Sequence, residues 1–318
     1  MPCRSFRATV VALAFVAAGL SSGCGQRLES DSGRSHKGWP SVLRYNIATG
    51  IENPETRVRR VDLVRIYLSK QLGIPVEITT ASSYGGTIEA MRAKKIDAAS
   101  MGPFAYLIAS EKAGAQAIAT RGLKNGNAGD YAGTLSVPGN SRFHSLSDVM
   151  RHAKELTISF VDPASASGYL VERAYLDSLG IDPERAFRKV VFSGNHIFSA
   201  MTLVAGKADV AAISENTIAV LRRNRKIKDG EIRVLWASPR IPNGPIAVRR
   251  DLPEELKRKL QDALVKMKTL DAEAFRNMFS ASSAIIAQDA TFVAITDAEF
   301  DPLRRMARDV KHVQLLEK

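Results

Sequence analysis

The sequence predicts an α/β protein of two similar lobes joined by two crossings, and three features of its 318 residues carry that expectation. Strand-like and helix-like stretches alternate from residue 42 onward, the pattern of sheets covered by helices. One helix-to-strand step occurs twice: "KKIDAAS" (94–100) and "GKADVAAIS" (206–214) each end a helix on Lys, place Asp two residues later and enter a strand of small residues. Two extended segments, "GDYAGTLSVPGN" (129–140) and "IRVLWASPRIPNGPIAVRRDLP" (232–253), lie where the chain would leave one series and return to it. The first lobe is expected over 41–137 and 242–318, the second over 138–241. Two crossings make a hinge, and lobes on a hinge can close around a small solute.

Each element has a local reason. "VLRYNIAT" reads as a strand, and "ETRVRRVDLVRIYLSKQLG" as a helix with Val61, Val64, Leu68 and Leu72 on one face and Gly73 as its stop. "IPVEITTA" is a strand, "GGTIEAMRAKK" a helix, "IDAASM" a buried strand, and "PFAYLIASEKAG" a helix with Pro103 in its first turn. The second series runs through the helix "SLSDVMRHAKE", the strand "LTISFVD", a helix from about Gly168, the strand "RKVVFSG", a helix from about Ile197, the strand "DVAAIS" and the helix "ENTIAVLRRN". "EELKRKLQDALVKMKTLDAEAF" is an amphipathic helix returning to the first lobe.

The N-terminus carries an export signal. Arg4 and Arg7 precede an apolar run, Val10 to Leu20, which suits a signal-peptide core and falls short of the roughly 20 residues that span a bilayer. "LSSGCGQ" (20–26) resembles the lipobox of bacterial lipoproteins, with Cys24 as the lipid attachment point. It departs from that pattern in placing Leu20 four residues before the cysteine, with Ser21 where an aliphatic residue is usual. Residues 1–23 are then a signal peptide and 24–40 a polar tether. With Cys3 removed, Cys24 stands alone and no internal disulfide is possible. A plain secretory signal followed by a free cysteine is the alternative.

Composition narrows the function. The net charge of +12 is spread along the chain with no basic stripe and no nucleic-acid module, so nucleic acid is not an expected partner. Aromatic residues make up 7% of the chain, too few for a site walled by rings, which favours a small anion as ligand. Among the histidines 36, 144, 152, 196 and 312 there is no HxxH or HExxH pair, and no phosphate-loop motif occurs. The contiguous "SGNH" at 193–196 lacks a G-x-S-x-G elbow and an acid to orient His196. Neither an enzyme, a metal nor a cofactor is expected; a secreted hydrolase is the remote alternative.

The stretch "VDPASASGYLVERAYL" (161–176) concentrates the chemistry. Ser165, Ala166, Ser167 and Gly168 stand where a strand gives way to a helix, so their amides lie at the positive end of a helix dipole and can hold an anion. Serine is also a common helix cap, and that reading needs no ligand.

Four segments together resemble a known family. "SSYGGTIEAMRAKKIDAASMGPFAY", "VDPASASGYLVERAYL", "FSGNHIFSAMTLVAGKADVAAISEN" and "ASPRIPNGPIAVRRDLP", within residues 43–275, are similar in order and spacing to the substrate-binding proteins of phosphonate, phosphite and phosphate ABC importers. The resemblance implies a two-lobed type II periplasmic-binding-protein fold and a monomeric, extracytoplasmic, lipid-anchored receptor that delivers a phosphorus oxyanion to an ABC permease. It places the family's Ser-Thr-Ser turn on Ser165, Ala166 and Ser167, its histidine on His196, its first-lobe tyrosine on Tyr84 and a ligand-contacting acid on Glu215. Beside a dianion, His196 is expected to be charged. Glu215 is expected either to meet a ligand O–H or ammonium or to cap the helix after it. An aromatic of some members falls on Met101, and an acid that clamps an aminoalkyl group falls on Gly244. A receptor or sensor of the same fold for a sulfonate or a thiamine precursor is the nearer alternative.

Overall fold

The computed structural model describes residues 38–47, 54–80, 83–278 and 290–310. The signal segment, Cys24 and the tether to residue 37 lie outside the described residues. The first series is β1 (Leu43–Ile47), α1 (Pro54–Leu72), β2 (Val76–Thr80), α2 (Tyr84–Arg92), β3 (Ala98–Ser100), α3 (Pro103–Lys112) and β4 (Ala115–Leu123). After β5 (Asp130–Tyr131) come β6 (Gly133–Pro138), α4 (Leu146–His152), β7 (Thr157–Phe160), a π-helical turn (Ala166–Leu170), α5 (Val171–Ser178), α6 (Pro183–Ala186) and β8 (Lys189–Phe192). Then follow α7 (His196–Val204), β9 (Val210–Ser214), α8 (Glu215–Arg223) and β10 (Ile232–Ala237). The chain returns through β11 (Ile241–Pro242) to β12 (Pro245–Arg249), α9 (Glu254–Leu270), α10 (Ala272–Met278), β13 (Ala290–Ala294) and α11 (Asp301–Asp309).

These strands form two sheets of matching order. One runs β2-β1-β3-β12-β4-β13 and the other β8-β7-β9-β6-β10. In each, three parallel strands meet one antiparallel strand supplied by the opposite end of the chain, β12 in the first and β6 in the second. The repeated Lys-x-Asp step now has a cause. Asp97 Oδ2 accepts the Arg44 amide of β1 at 2.8 Å, and Asp209 Oδ2 accepts the Thr157 amide of β7 at 2.8 Å. Each aspartate thus satisfies the free donor at the start of the neighbouring parallel strand, the same job at the same place in both sheets.

Helices cover these sheets as their patterns predict. Val64, Leu68 and Leu72 of α1 are fully buried, and Gly73 follows at φ +75, a left-handed stop that favours glycine. Pro103 opens α3 at its first position.

Two expectations shift. β6 begins at Gly133 and pairs with β9 and β10, so residues 133–137, expected in the first lobe, bond into the second sheet. "GTLSVP" is buried almost throughout and needs ladder partners on both sides, which only the second sheet provides. The crossing itself contracts to the antiparallel pair β5–β11, with Ile241 opposite Tyr131. Strand β4 carries no expectation from the sequence, yet it is the longest strand described and sits between β12 and β13.

Candidate functional site

Where the sheets face each other, a cavity of about 430 Å³ is lined from both. The first side gives Tyr84, Met101 and Arg121; the second gives Asn195, His196 and Ser214; Tyr131 and Asn243 come from the crossings. That volume is within the roughly 300–1,000 Å³ of small-molecule sites.

His196 is the best-defined group. It opens α7 just after the cap Asn195, whose side chain accepts the Phe198 amide at 2.9 Å. Its Nδ1 accepts the Ser214 amide at 3.1 Å, so in the neutral ring the proton sits on Nε2. Nε2 faces Ser165 Oγ at 3.4 Å and Ser167 Oγ at 3.3 Å as a donor. Burial pulls its pKa down to about 4. Without an anion beside it His196 is neutral, and protonating it would set an Nδ1–H against the Ser214 N–H in a desolvated site.

Ser165 and Ser167 are brought to this histidine as expected, but at a different depth. Ser165, Ala166, Ser167 and Gly168 are all buried and form the layer beneath Tyr84, Tyr131 and His196, which themselves line the cavity. The Ser167 hydroxyl donates to Tyr131 Oη at 3.3 Å, and the Tyr84 hydroxyl bonds Ser165. The helix starts earlier than its pattern implies, at Ala166, in a π turn whose first internal bond runs from the Leu170 amide to the Ser165 carbonyl at 3.0 Å. Amides 166–169 precede that bond and have no carbonyl within the helix. Ser165 occupies the cap position without making a side-chain cap bond, which sets aside the plain capping reading for its hydroxyl. The turn tucks in because residue 168 is glycine: a Cβ there would lie 2.3 Å from Val161 Cγ2.

Glu215 stands in the first turn of α8 and is not among the residues lining the cavity. Its Oε1 accepts the Ala132 amide at 3.0 Å and Arg240 Nη1 at 2.5 Å, while Arg240 also holds Asp130. The carboxylate therefore ties α8 to the crossing, outside the cavity wall, and the cap of α8 is Ser214. Met101 lines the cavity as a mostly buried strand end. At Gly244 no side chain fits, because a Cβ would stand 1.9 Å from the Met101 carbonyl oxygen.

Sequence reasoning missed Arg121, Tyr131 and Asn243. Arg121 Nη2 donates to Asn243 Oδ1 at 2.7 Å, and Asn243 is anchored by its own amide to the Gly129 carbonyl at 2.9 Å. A single charged residue inside the mostly buried strand "AQAIATRGL" was the available signal, since buried charge is usually paired.

A model of the periplasmic substrate-binding protein of phosphonate ABC transporters matches residues 48–300. The phosphonates-binding periplasmic protein of Escherichia coli (strain K12) is 30% identical over 241 residues, 76% of this chain and 68% of that protein. The phosphate-import protein PhnD of Mycolicibacterium smegmatis is 26% identical over 322 aligned positions, 96% of this chain and 97% of that protein. Among solved structures, a binding-protein component of an ABC phosphonate transporter from Pseudomonas aeruginosa has a TM-score of 0.71 at 27% identity, covering 83% of this chain and 85% of that one.

Proposed function

The chain belongs to the periplasmic substrate-binding proteins of phosphonate ABC transporters, and from that premise we propose that its cleft captures a phosphorus oxyanion at the start of the helix after β7. Phosphonate, phosphite and phosphate share the tetrahedral P–O⁻ group that this site suits. The observation that carries the reading is the convergence of Ser165 and Ser167 hydroxyls on His196 Nε2–H, at a helix start whose amides 166–169 have no carbonyl within the helix. These contacts, at 3.3–3.4 Å, are longer than the usual ~2.9 Å N–H···O bond, so an entering oxyanion takes the donors at little cost. Tyr84 and Tyr131 then move aside as lids of the serine layer, and their hydroxyls are further donors.

The two sheets act as lobes that close on the solute over the β5–β11 crossing, and the loaded form docks on an ABC permease. Cys24 anchors the protein by lipid to a membrane face, and the protein works as a monomer. The chemistry is capture and release without covalent steps: no base is available at His196, whose Nδ1 is committed to the Ser214 amide. A thermal-shift panel of methylphosphonate, phosphite, phosphate and sulfate tests the reading, since ligand at 100 times its Kd adds about 2.7 kcal/mol of stability. A midpoint raised by the phosphorus anions and not by sulfate supports it; a midpoint that none of the phosphorus anions moves overturns it.

A further inference from the structure

We propose that Arg121 makes this cleft select phosphonates bearing a second anionic group, a carboxylate a short carbon chain from phosphorus, over those bearing an ammonium group. This rests on the phosphorus oxyanion occupying the His196 end of the cavity, over Ser165 and Ser167. The charge of the wall is the starting point. Among the described residues lining it, Arg121 is a permanent cation and there is no Asp or Glu.

Two other arginines withdrawn from solvent in this fold, Arg173 and Arg249, are matched by carboxylates. Arg173 meets Asp177, Asp182 and Glu184, and Arg249 meets Asp97 and Asp251. Among the described residues no carboxylate reaches Arg121; its acceptor is the neutral Asn243 Oδ1. Burial depresses the pKa of this guanidinium, the mark of a charge lacking compensation. Asn243 also accepts no freedom for it: its Nδ2 donates to the Arg121 carbonyl at 3.3 Å, and its own amide is tied to Gly129. The guanidinium is therefore held in place with most of its five N–H donors directed to something other than protein acceptors among the described residues.

A planar cation with parallel donors matches a carboxylate, which it binds through two N–H···O bonds. Tyr131 stands between the two ends, bonded to Ser167 on one side and within the field of Arg121 on the other. Arg121 and His196 line the same cavity. An ammonium group in this position meets a like charge and no acid, so repulsion rejects it. Methylphosphonate leaves the arginine without an anionic partner.

Calorimetry on the purified chain with phosphonoacetate, 3-phosphonopropionate, methylphosphonate and 2-aminoethylphosphonate tests this. The expected result is at least tenfold tighter binding of one of the two carboxylated probes than of methylphosphonate, with 2-aminoethylphosphonate weakest. Arg121→Gln should abolish that preference, and Arg121→Lys should restore part of it. Equal or tighter binding of methylphosphonate or 2-aminoethylphosphonate by the parent protein overturns the proposal, a result that needs no variant to fold. So does an Arg121→Gln protein weakened alike for every probe, which would put Arg121 on the phosphorus oxygens. Failure of all four probes to bind removes the oxyanion site itself, and the proposal with it.

Discussion

His196 shows how one hydrogen bond fixes a residue's chemistry. The Ser214 amide holds Nδ1 as an acceptor, and burial keeps the ring neutral with a pKa of about 4 against 6.5 for a free imidazole. Between those values the unfolded chain binds a proton that the folded chain refuses, so His196 supports the fold fully above pH 6.5 and that support is lost as the pH falls toward 4. His196→Gln should flatten the decline of Tm measured from pH 7 to 4.5; an unchanged slope would remove His196 as its source. Glu172 has the opposite sign. Its carboxyl is fully buried, neither oxygen has a partner among the described residues, and burial raises its pKa well above 4.5. The folded state keeps a proton that the unfolded state releases, so stability falls as the pH rises above 4.5. Glu172→Gln is expected to raise Tm by ~2 °C or more at pH 7.5 and to gain less at pH 4.5, read by calorimetry at both values. Ser167→Ala should weaken methylphosphonate or phosphate binding by about 1–3 kcal/mol with a normal far-ultraviolet spectrum, because a buried oxyanion loses a donor. Unaltered affinity by titration calorimetry would take Ser167 out of the site.

At the scale of elements, legibility follows how local the cause is. Helix α1 and its stop at Gly73, Pro103 at the head of α3, and the recurring aspartate before β3 and β9 were all readable, because periodicity, proline and capping act within a few residues. The serine turn was readable as chemistry and misread in depth. Its π register and its burial depend on two glycines: a Cβ on Gly168 would lie 2.3 Å from Val161 Cγ2, and one on Gly133 of β6 would lie 3.0 Å from Ser167 Cα. Gly133 is not close to Ser167 in sequence. Gly168→Ala is therefore expected to cost about 1–3 kcal/mol from overpacking and to abolish anion binding, since the added methyl pushes on Val161 and on Ser165 Oγ. A urea titration together with the ligand panel checks it; a variant with parental stability and affinity would mean that the turn has slack. Glu215 belongs here too. As a residue it resembled a ligand contact, but Arg240 sits beside it only because β11 runs back along β5.

Over the whole molecule, the matched sheet orders and the paired crossing suit the lobe closure proposed for the cleft. Small-angle scattering should record a smaller radius of gyration when a bound anion is added, and no change on addition would argue for a rigid cleft. The sequence by itself determined the alternation of strands and helices, the two-lobed plan through its repeated step, and the family through four spaced segments. It also determined which end of which helix would gather hydroxyls, amides and a histidine. Tertiary structure alone decided the charge of the cleft, the tautomer of His196 and the fate of Glu215. Arg121 on β4, Asn243 before β12 and Tyr131 on β5 are distant in the chain and meet only once the second half returns to complete the first sheet. Patterns along a chain report what a residue does to its own turn or strand. The partners that set its protonation and its ligand arrive from elsewhere, by a packing that no local window contains.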